Sequence, residues 1–213
     1  MDEQLTRKRV ITAEVLNATT HGIAAILSLV AIGLLVYKGV AAGSLTAIIA
    51  YFIYGLSLFI LFLNSTLYHS FSFSKYRDLF QRLDHAAIYL LIAGSYTPYL
   101  MISIGGWQGY LFLGIIWALA LAGIIFEMMN INKWPKLSTY LYLALGWMGI
   151  LLIVPLFRSV HLNGIILLAL GGVAYTVGTI FYRKKSNVWM HVIWHLFVML
   201  GAGLMFFSIY LYV

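Results

Sequence analysis

The sequence predicts an all-α integral membrane protein, a bundle of seven transmembrane helices. Apolar residues make up 63% of the 213 residues and charged residues only 9%. Apolar runs of roughly 20 residues recur along the chain, which is the length that crosses a bilayer core of about 30 Å. A soluble domain carries about a quarter charged residues, so most of this surface must face lipid. We expect one domain, residues 1–213.

Short polar or turn segments separate seven apolar runs. The predicted spans are residues 15–37, 45–70, 83–104, 107–127, 137–156, 161–182 and 189–212. The break between the third and fourth spans is the uncharged pair Gly105–Gly106, which predicts a tight hairpin. The N-terminal segment lacks the cleavage site of a signal peptide, so we expect the first helix to be retained.

Basic residues are distributed unevenly between the two ends of the predicted bundle. Eleven of the 13 Lys and Arg lie in the N-terminal segment and in loops two, four and six, whereas only Lys38 and Arg158 lie at the other end. The positive-inside rule therefore predicts a cytoplasmic N-terminus and an outside C-terminus, in the plasma membrane. Because these residues form short clusters between apolar runs, we expect no binding of nucleic acid.

Ionisable side chains inside a span cost roughly 2.5–3.5 kcal/mol on insertion scales, so each needs a reason. Near the predicted cytoplasmic ends, span two carries Ser65 and His69, span three carries Asp84, and span seven carries His191 and His195. A spacing of four residues places both members of a pair on one helix face. Three distant segments are therefore predicted to deliver polar side chains to one layer of the bundle.

This layer has the residues of a metal site. The pair His191 and His195, joined by His69 from another helix, would form a three-histidine face with an open fourth position. The chain has no cysteine, so thiolate ligands are excluded, and zinc is the metal that suits these imidazoles best. Asp84 would hold a water molecule at that site or act on it as a base. The alternative is that these histidines only form hydrogen bonds between helices.

Span one carries a stripe of three polar residues, Glu14, Asn17 and His21, at spacings of three and four. Such a stripe either supports the metal ligands from behind or forms hydrogen bonds with a neighbouring helix. We expect the first role, because this end of the helix is also predicted to be cytoplasmic. The other ionisable residues near the spans are interpreted as structural or solvated: His85, His161 and Glu127.

At these residues the chain resembles the hemolysin III branch of the progestin and adipoQ receptor (PAQR) superfamily, which is related to alkaline ceramidases. The resemblance covers nearly the whole chain. It rests on an ordered set of motifs: Glu14-x-x-Asn17 with His21, Ser65-x-x-x-His69, Asp84 within LDHAAIYLLIAGSYTP, and His191-x-x-x-His195. The resemblance implies a zinc ion held by the three histidines, with Asp84 and Ser65 near its water molecule, and it leaves the substrate open.

These observations lead us to expect an intramembrane zinc hydrolase that acts on a membrane lipid amide or ester. In this hypothesis Asp84 is the general base and Ser65 hydrogen-bonds the developing oxyanion. One alternative is a pore, channel or lipid sensor with a structural zinc, which a closed site of four protein ligands would favour. Another is a proton-coupled transporter that uses Glu14, His21 and Asp84 as a relay. Transporters usually place their sites near the midplane of the membrane, so this sequence pattern favours the transporter least.

Overall fold

The computed structural model describes residues 2–130, 133–184 and 187–213. These residues form eight α-helices, one π-helical segment and one 3₁₀-helical segment. The α-helices are α1 (Asp2–Ala41), α2 (Leu45–Ser70), α3 (Arg77–Pro98), α4 (Gly106–Asn130), α5 (Pro135–Trp147), α6 (Ile153–Ser159), α7 (Leu162–Tyr182) and α8 (Trp189–Tyr212). The π-helical segment Tyr99–Ile104 follows α3, and the 3₁₀ segment Met148–Leu152 joins α5 to α6.

Seven of the helical segments are long and apolar enough to cross a membrane, which confirms the predicted number of spans. The third span is α3 with its π-helical segment, and the fifth consists of α5, the 3₁₀ segment and α6. The part of the chain that the structure describes contains no strand. We call the end of the bundle at which α1, α3 and α8 begin the N-terminal end.

Apolar side chains cover the outside of the bundle as well as its interior. Leu27, Tyr37 and Leu151 are 57%, 72% and 68% exposed, whereas Tyr54 and Leu100 are fully buried. A helix that is apolar all round is stable when its outer face meets lipid rather than water. This distribution agrees with a protein whose solvent is the hydrocarbon of a bilayer.

Two helices extend further at the N-terminal end than predicted. α1 begins at Asp2 rather than near residue 15, and α3 begins at Arg77 rather than residue 83. Hydropathy marks only the apolar centre of a span, and the helix continues into the polar interfacial layer. Arg82, predicted to lie in a loop, is therefore in α3, where its guanidinium donates a hydrogen bond to the Met128 carbonyl oxygen. Lys185 of the predicted sixth loop lies outside the described residues.

The third span changes from an α-helix to a π-helix at Pro98. Pro98 has no amide hydrogen to donate, and the helix widens after it into the segment Tyr99–Ile104. Gly105 and Gly106 then adopt φ angles of 58° and 56°, a left-handed conformation that glycine adopts without a steric penalty. The chain turns directly into α4, as the uncharged glycine pair predicts.

The fifth span is interrupted by its 3₁₀ segment, and a tyrosine from the third span bonds to the backbone at this point. The Tyr96 hydroxyl accepts a hydrogen bond from the Gly149 amide at 2.7 Å and donates one to the Gly146 carbonyl at 2.6 Å. Inside a membrane such freed backbone groups must find a partner in the protein. Tyr96 therefore links the third span to the fifth span at the point where the α-helix of the fifth span is interrupted.

Candidate metal centre

Three histidine side chains meet at the N-terminal end of the bundle. His69 lies in the last turn of α2, and His191 and His195 lie in the first two turns of α8. One ring nitrogen from each lies within 4.8 Å of the others, and the Nε2 atoms of His69 and His191 are 3.3 Å apart. These three residues, which we call the three-histidine group, could hold a metal ion.

Helix α1 packs against both α2 and α8 and so connects the two helices that carry the three-histidine group. Glu14 of α1 contacts His69 of α2, and His21 of α1 stacks on His195 of α8 with ring centroids 3.6 Å apart. The spacing of seven residues between Glu14 and His21 is two helical turns, so both side chains lie on one face of α1. Glu14 and His21 of the stripe on span one therefore face the three-histidine group.

Glu14 fixes the orientation of the His69 ring. Its Oε2 atom lies 2.7 Å from the Nδ1 atom of His69, and the His69 side chain is almost fully buried. In a neutral ring a carboxylate at Nδ1 fixes the proton there and leaves the Nε2 lone pair for a metal. This is the tautomer that a ligand needs, because Nε2 of His69 faces the other histidines.

Several buried polar atoms around the three-histidine group have no hydrogen-bond partner among the described residues. They include Nδ1 of His195, both ring nitrogens of His21 and the Oδ1 atom of Asn17, all in side chains that are at most 3% exposed. Buried polar atoms are nearly always satisfied by protein, water or an ion. Both imidazoles also lie within reach of backbone groups, His195 of Asn17 and His21 of His195. The contacts hold these two rings beside the other histidines.

Asp84 and Ser65 lie next to the three-histidine group. Ser65 is buried one helical turn from His69 on α2, and its side chain lies beside the Asp84 carboxyl group of α3. Asp84 is also close enough to His69 to interact with it electrostatically. The acid and the hydroxyl therefore reach the same small volume as the three imidazoles.

A cavity of about 240 Å³ opens from this volume into the bundle. Its polar end contains Asp84, Ser65 and the rings of His191 and His195. From there it runs between α3, α5, α7 and α8 as far as the π-helical segment. Most of its wall is apolar, formed by the following residues: Leu61, Ile88, Leu91, Ile92, Leu100, Ile104, Leu143, Leu152, Ile153, Leu156, Ile165, Leu168 and Val198.

The two remaining histidines lie apart from the three-histidine group. His161 caps the start of α7 at the opposite end, where its Nδ1 accepts a hydrogen bond from the Asn163 amide at 3.2 Å. His85 pairs with Glu127, with Nδ1 and Oε2 3.6 Å apart. The interpretation of Glu127 as a solvated residue is wrong, because it is 1% exposed and faces the interior.

A signal for the pair of His85 and Glu127 was present in the sequence. The two residues lie at almost equal distances from the hairpin at Gly105 and Gly106. Because α3 and α4 are antiparallel and joined by this tight turn, residues equidistant from it lie at one depth. The hairpin therefore predicts their proximity once Glu127 is treated as part of the span.

Comparison with known proteins gives concordant matches over the whole bundle. A family model described as "Haemolysin-III related" matches residues 9–206. The "Hemolysin-3" of Bacillus cereus is 44% identical over 214 residues, which cover 100% of this chain and 98% of that protein. The "Hemolysin-3 homolog" of Bacillus subtilis (strain 168) is 43% identical over 202 residues, covering 95% of each chain.

A more distant match comes from animals. The "Monocyte to macrophage differentiation factor" of Homo sapiens is 30% identical over 166 residues, covering 75% of this chain and 68% of that protein. No solved structure matches the chain. The human protein therefore matches 75% of this chain, whereas the two bacterial proteins match 100% and 95% of it.

Proposed function

This chain belongs to the haemolysin-III-related family. We propose that it is a zinc-dependent intramembrane hydrolase of a lipid amide or ester. One observation carries the proposal. The three-histidine group, Asp84 and Ser65 converge from three helices, and all of them except His69 line the polar end of a cavity whose wall is mostly apolar. Such an arrangement would bring a carboxylate, a hydroxyl group and metal ligands to the point where the head group and the acyl chain of a bound lipid meet.

The donor set supports zinc as the metal. His69, His191 and His195 would be the ligands, because cysteine is absent and three imidazoles are a common catalytic set for zinc. Glu14 holds the His69 ring with Nε2 towards the group. Zinc bound there would supply Lewis acidity, which lowers the pKa of a water molecule to about 7.

Asp84 and Ser65 would carry out the remaining chemistry. The Asp84 carboxylate accepts a proton from the water molecule that attacks the lipid carbonyl carbon. The Ser65 hydroxyl, which lies beside Asp84, donates a hydrogen bond to the oxygen on which negative charge develops. A buried site strengthens both interactions, because few water molecules compete for these groups.

The apolar length of the cavity supports a lipid as the substrate. An acyl chain would lie along the wall between α3, α5 and α7, with its carbonyl group at the three-histidine group. The polar end lies in the layer that the uneven distribution of Lys and Arg assigns to the cytoplasmic side. We place the protein in the plasma membrane with its N-terminus inside, so the head group would lie at the cytoplasmic interface.

The experiment that tests this function replaces Asp84 by Asn, which keeps the size of the side chain and removes its basicity. Cells that express each variant are analysed for total lipid composition, and the purified proteins for zinc. We expect Asp84→Asn to keep its zinc while lipid turnover falls by roughly 10²–10⁴, the usual contribution of a general base. The matched control is Asp78→Asn, an exposed carboxylate in the first turn of α3.

The opposite result separates the enzyme from a structural zinc site. If wild type and Asp84→Asn carry full zinc and the cells have identical lipid profiles, the hydrolase proposal fails. The histidines would then serve to hold α2 and α8 together, and a lipid sensor or channel would explain the same geometry.

A further inference from the structure

A second pair of ionisable side chains lies inside the bundle at the N-terminal end, and one member is on the wall of the same cavity. Nδ1 of His85 lies 3.6 Å from Oε2 of Glu127, and the two side chains are only 14% and 2% exposed. His85 belongs to the first half of α3 and Glu127 to the last turn of α4. Ionisable residues at such positions in a membrane protein usually have a function.

The pair is enclosed by α3, α4 and α5. The Tyr142 hydroxyl donates a hydrogen bond to the His85 carbonyl oxygen at 3.3 Å, and the rings of Tyr142 and Tyr89 pack 4.5 Å apart. Both phenols and the Ser138 side chain are close enough to Glu127 to interact with it electrostatically. These side chains hold the carboxylate of Glu127 beside His85, between α3, α4 and α5.

His85 shares the cavity with the residues of the metal site. The wall of the cavity includes His85, Asp84 and His191. The Tyr182 ring neighbours both imidazoles, with centroids 6.4 Å from His85 and 6.0 Å from His191. Consecutive residues on a helix point about 100° apart, so Asp84 turns towards α2 and His85 towards Glu127 on α4. Two neighbouring side chains therefore reach a molecule in the cavity from different sides.

We propose that His85 is the proton donor to the departing group of the lipid and that Glu127 positions the His85 ring; this inference rests on the proposed hydrolase function. Because Glu127 lies at Nδ1, Nε2 is the ring nitrogen left for the cavity. A carboxylate at one nitrogen of an imidazole commonly fixes the orientation of the ring for proton transfer at the other. Asp84, which faces α2, acts on the attacking water and is therefore not the proton donor.

The proton transfers balance for an amide substrate. A carbon–oxygen bond forms when water attacks the carbonyl carbon, and Asp84 takes one proton from that water. The carbon–nitrogen bond then breaks and its electron pair stays on nitrogen. The nitrogen takes the Nε2 proton from the imidazolium form of His85, which keeps its other proton on Nδ1 beside Glu127. The proton on Asp84 returns to His85 through solvent, and the products are a carboxylic acid and an amine.

The test uses two probes that share one long acyl chain and differ in the leaving group. An anilide releases an amine, which must be protonated as it departs, whereas a p-nitrophenyl ester releases a stable anion that needs no proton. With zinc-loaded protein in detergent, we expect His85→Gln to lower kcat for the anilide by about 10²–10⁴-fold. KM for the anilide and kcat for the ester should stay near wild type.

Glu127 gives an independent comparison through a positioning residue. Glu127→Gln should show the same selective loss with the anilide, of smaller size, and Glu127→Asp, which keeps the carboxylate, should recover part of it. The matched control is His161→Asn, which retains a side chain able to cap α7 at the opposite end of the bundle. It should leave the rates with both probes unchanged.

Zinc content identifies the variants that keep the folded site, and Glu127→Gln decides the question if His85→Gln loses its zinc. Equal losses with both probes in a zinc-replete variant overturn the proton-donor role and leave the hydrolase function in place. A zinc-loaded wild-type protein that cleaves neither probe overturns the hydrolase function itself, and the proton-donor role fails with it.

Discussion

Replacing Glu14 by Gln should weaken metal binding without removing a metal ligand. The Oε2 atom of Glu14 is 2.7 Å from Nδ1 of His69, so the carboxylate holds the proton on that nitrogen. It also adds negative charge behind a ligand that donates electrons to a cation. A glutamine side chain can still accept the hydrogen bond, so the ring keeps its orientation while the charge is lost.

The expected magnitude follows from the geometry of this contact. A hydrogen bond to a charged group contributes about 1.5–3 kcal/mol, and the Glu14 side chain is 27% exposed while His69 is buried. Loss of such a partner behind a metal ligand typically weakens metal affinity by about 10–100-fold. At about 1.4 kcal/mol for each factor of ten, the two ranges agree.

The assay is a competition between the metal-stripped, purified protein and a chelator of known zinc affinity. Glu14→Ala should bind zinc more weakly than Glu14→Gln, because its His69 has no partner at Nδ1. The matched control is Asp78→Asn, which removes an exposed carboxylate at the same end of the bundle and should keep wild-type affinity. If Glu14→Gln and Glu14→Ala both bind zinc as tightly as wild type, the role assigned to Glu14 is refuted.

Three further predictions concern topology, the ligands and the packing of α8. A cysteine at Lys184 should react with an impermeant reagent only after the cells are opened, because the basic clusters predict a cytoplasmic loop; labelling of intact cells would reverse the orientation. Protein purified without chelator should contain one zinc by elemental analysis, and single alanine substitutions in the three-histidine group should lose it. If a variant with two of these substitutions keeps its full zinc content, the three histidines are not the ligands. Lys38→Met should lower the free energy of unfolding in a denaturing detergent by about 1.5–3 kcal/mol, since Nζ of Lys38 donates to the Ile209 and Tyr210 carbonyls at 3.3 and 2.7 Å. The exposed Lys133→Met serves as the control, and equal stability of the two variants would contradict this role.

The seven spans and the meeting of the three histidines could be predicted from the sequence because both depend on properties of single helices. An apolar run of sufficient length crosses a bilayer whatever its neighbours are. The spacing of four between His191 and His195 places both rings on one face of α8. His69 lies at the same depth because α2 ends where α8 begins.

Contacts that depend on how two helices cross could not be predicted in the same way. The stripe on α1 predicted that Glu14, Asn17 and His21 share a face, but only the packing shows that Glu14 meets His69 and that His21 stacks on His195. The burial of Glu127 was missed because residues near a span end were treated as solvated. The 3₁₀ interruption of the fifth span, Met148–Leu152, was missed although Pro155, which follows it, cannot donate a hydrogen bond to the Leu151 carbonyl. Its contact with Tyr96 from another helix could not be predicted.

The most direct test of the central claim is X-ray absorption at the zinc edge, recorded for wild type and for Asp84→Asn. If the three-histidine group holds a catalytic zinc, the spectrum of wild type will show three imidazole nitrogens and one further light ligand. The spectrum of Asp84→Asn will then be the same, because Asp84 acts on the water and does not bind the metal. A fourth ligand that is lost or replaced in Asp84→Asn would show that Asp84 closes the coordination sphere. The zinc would then be structural, and the account of this protein as a hydrolase would be contradicted.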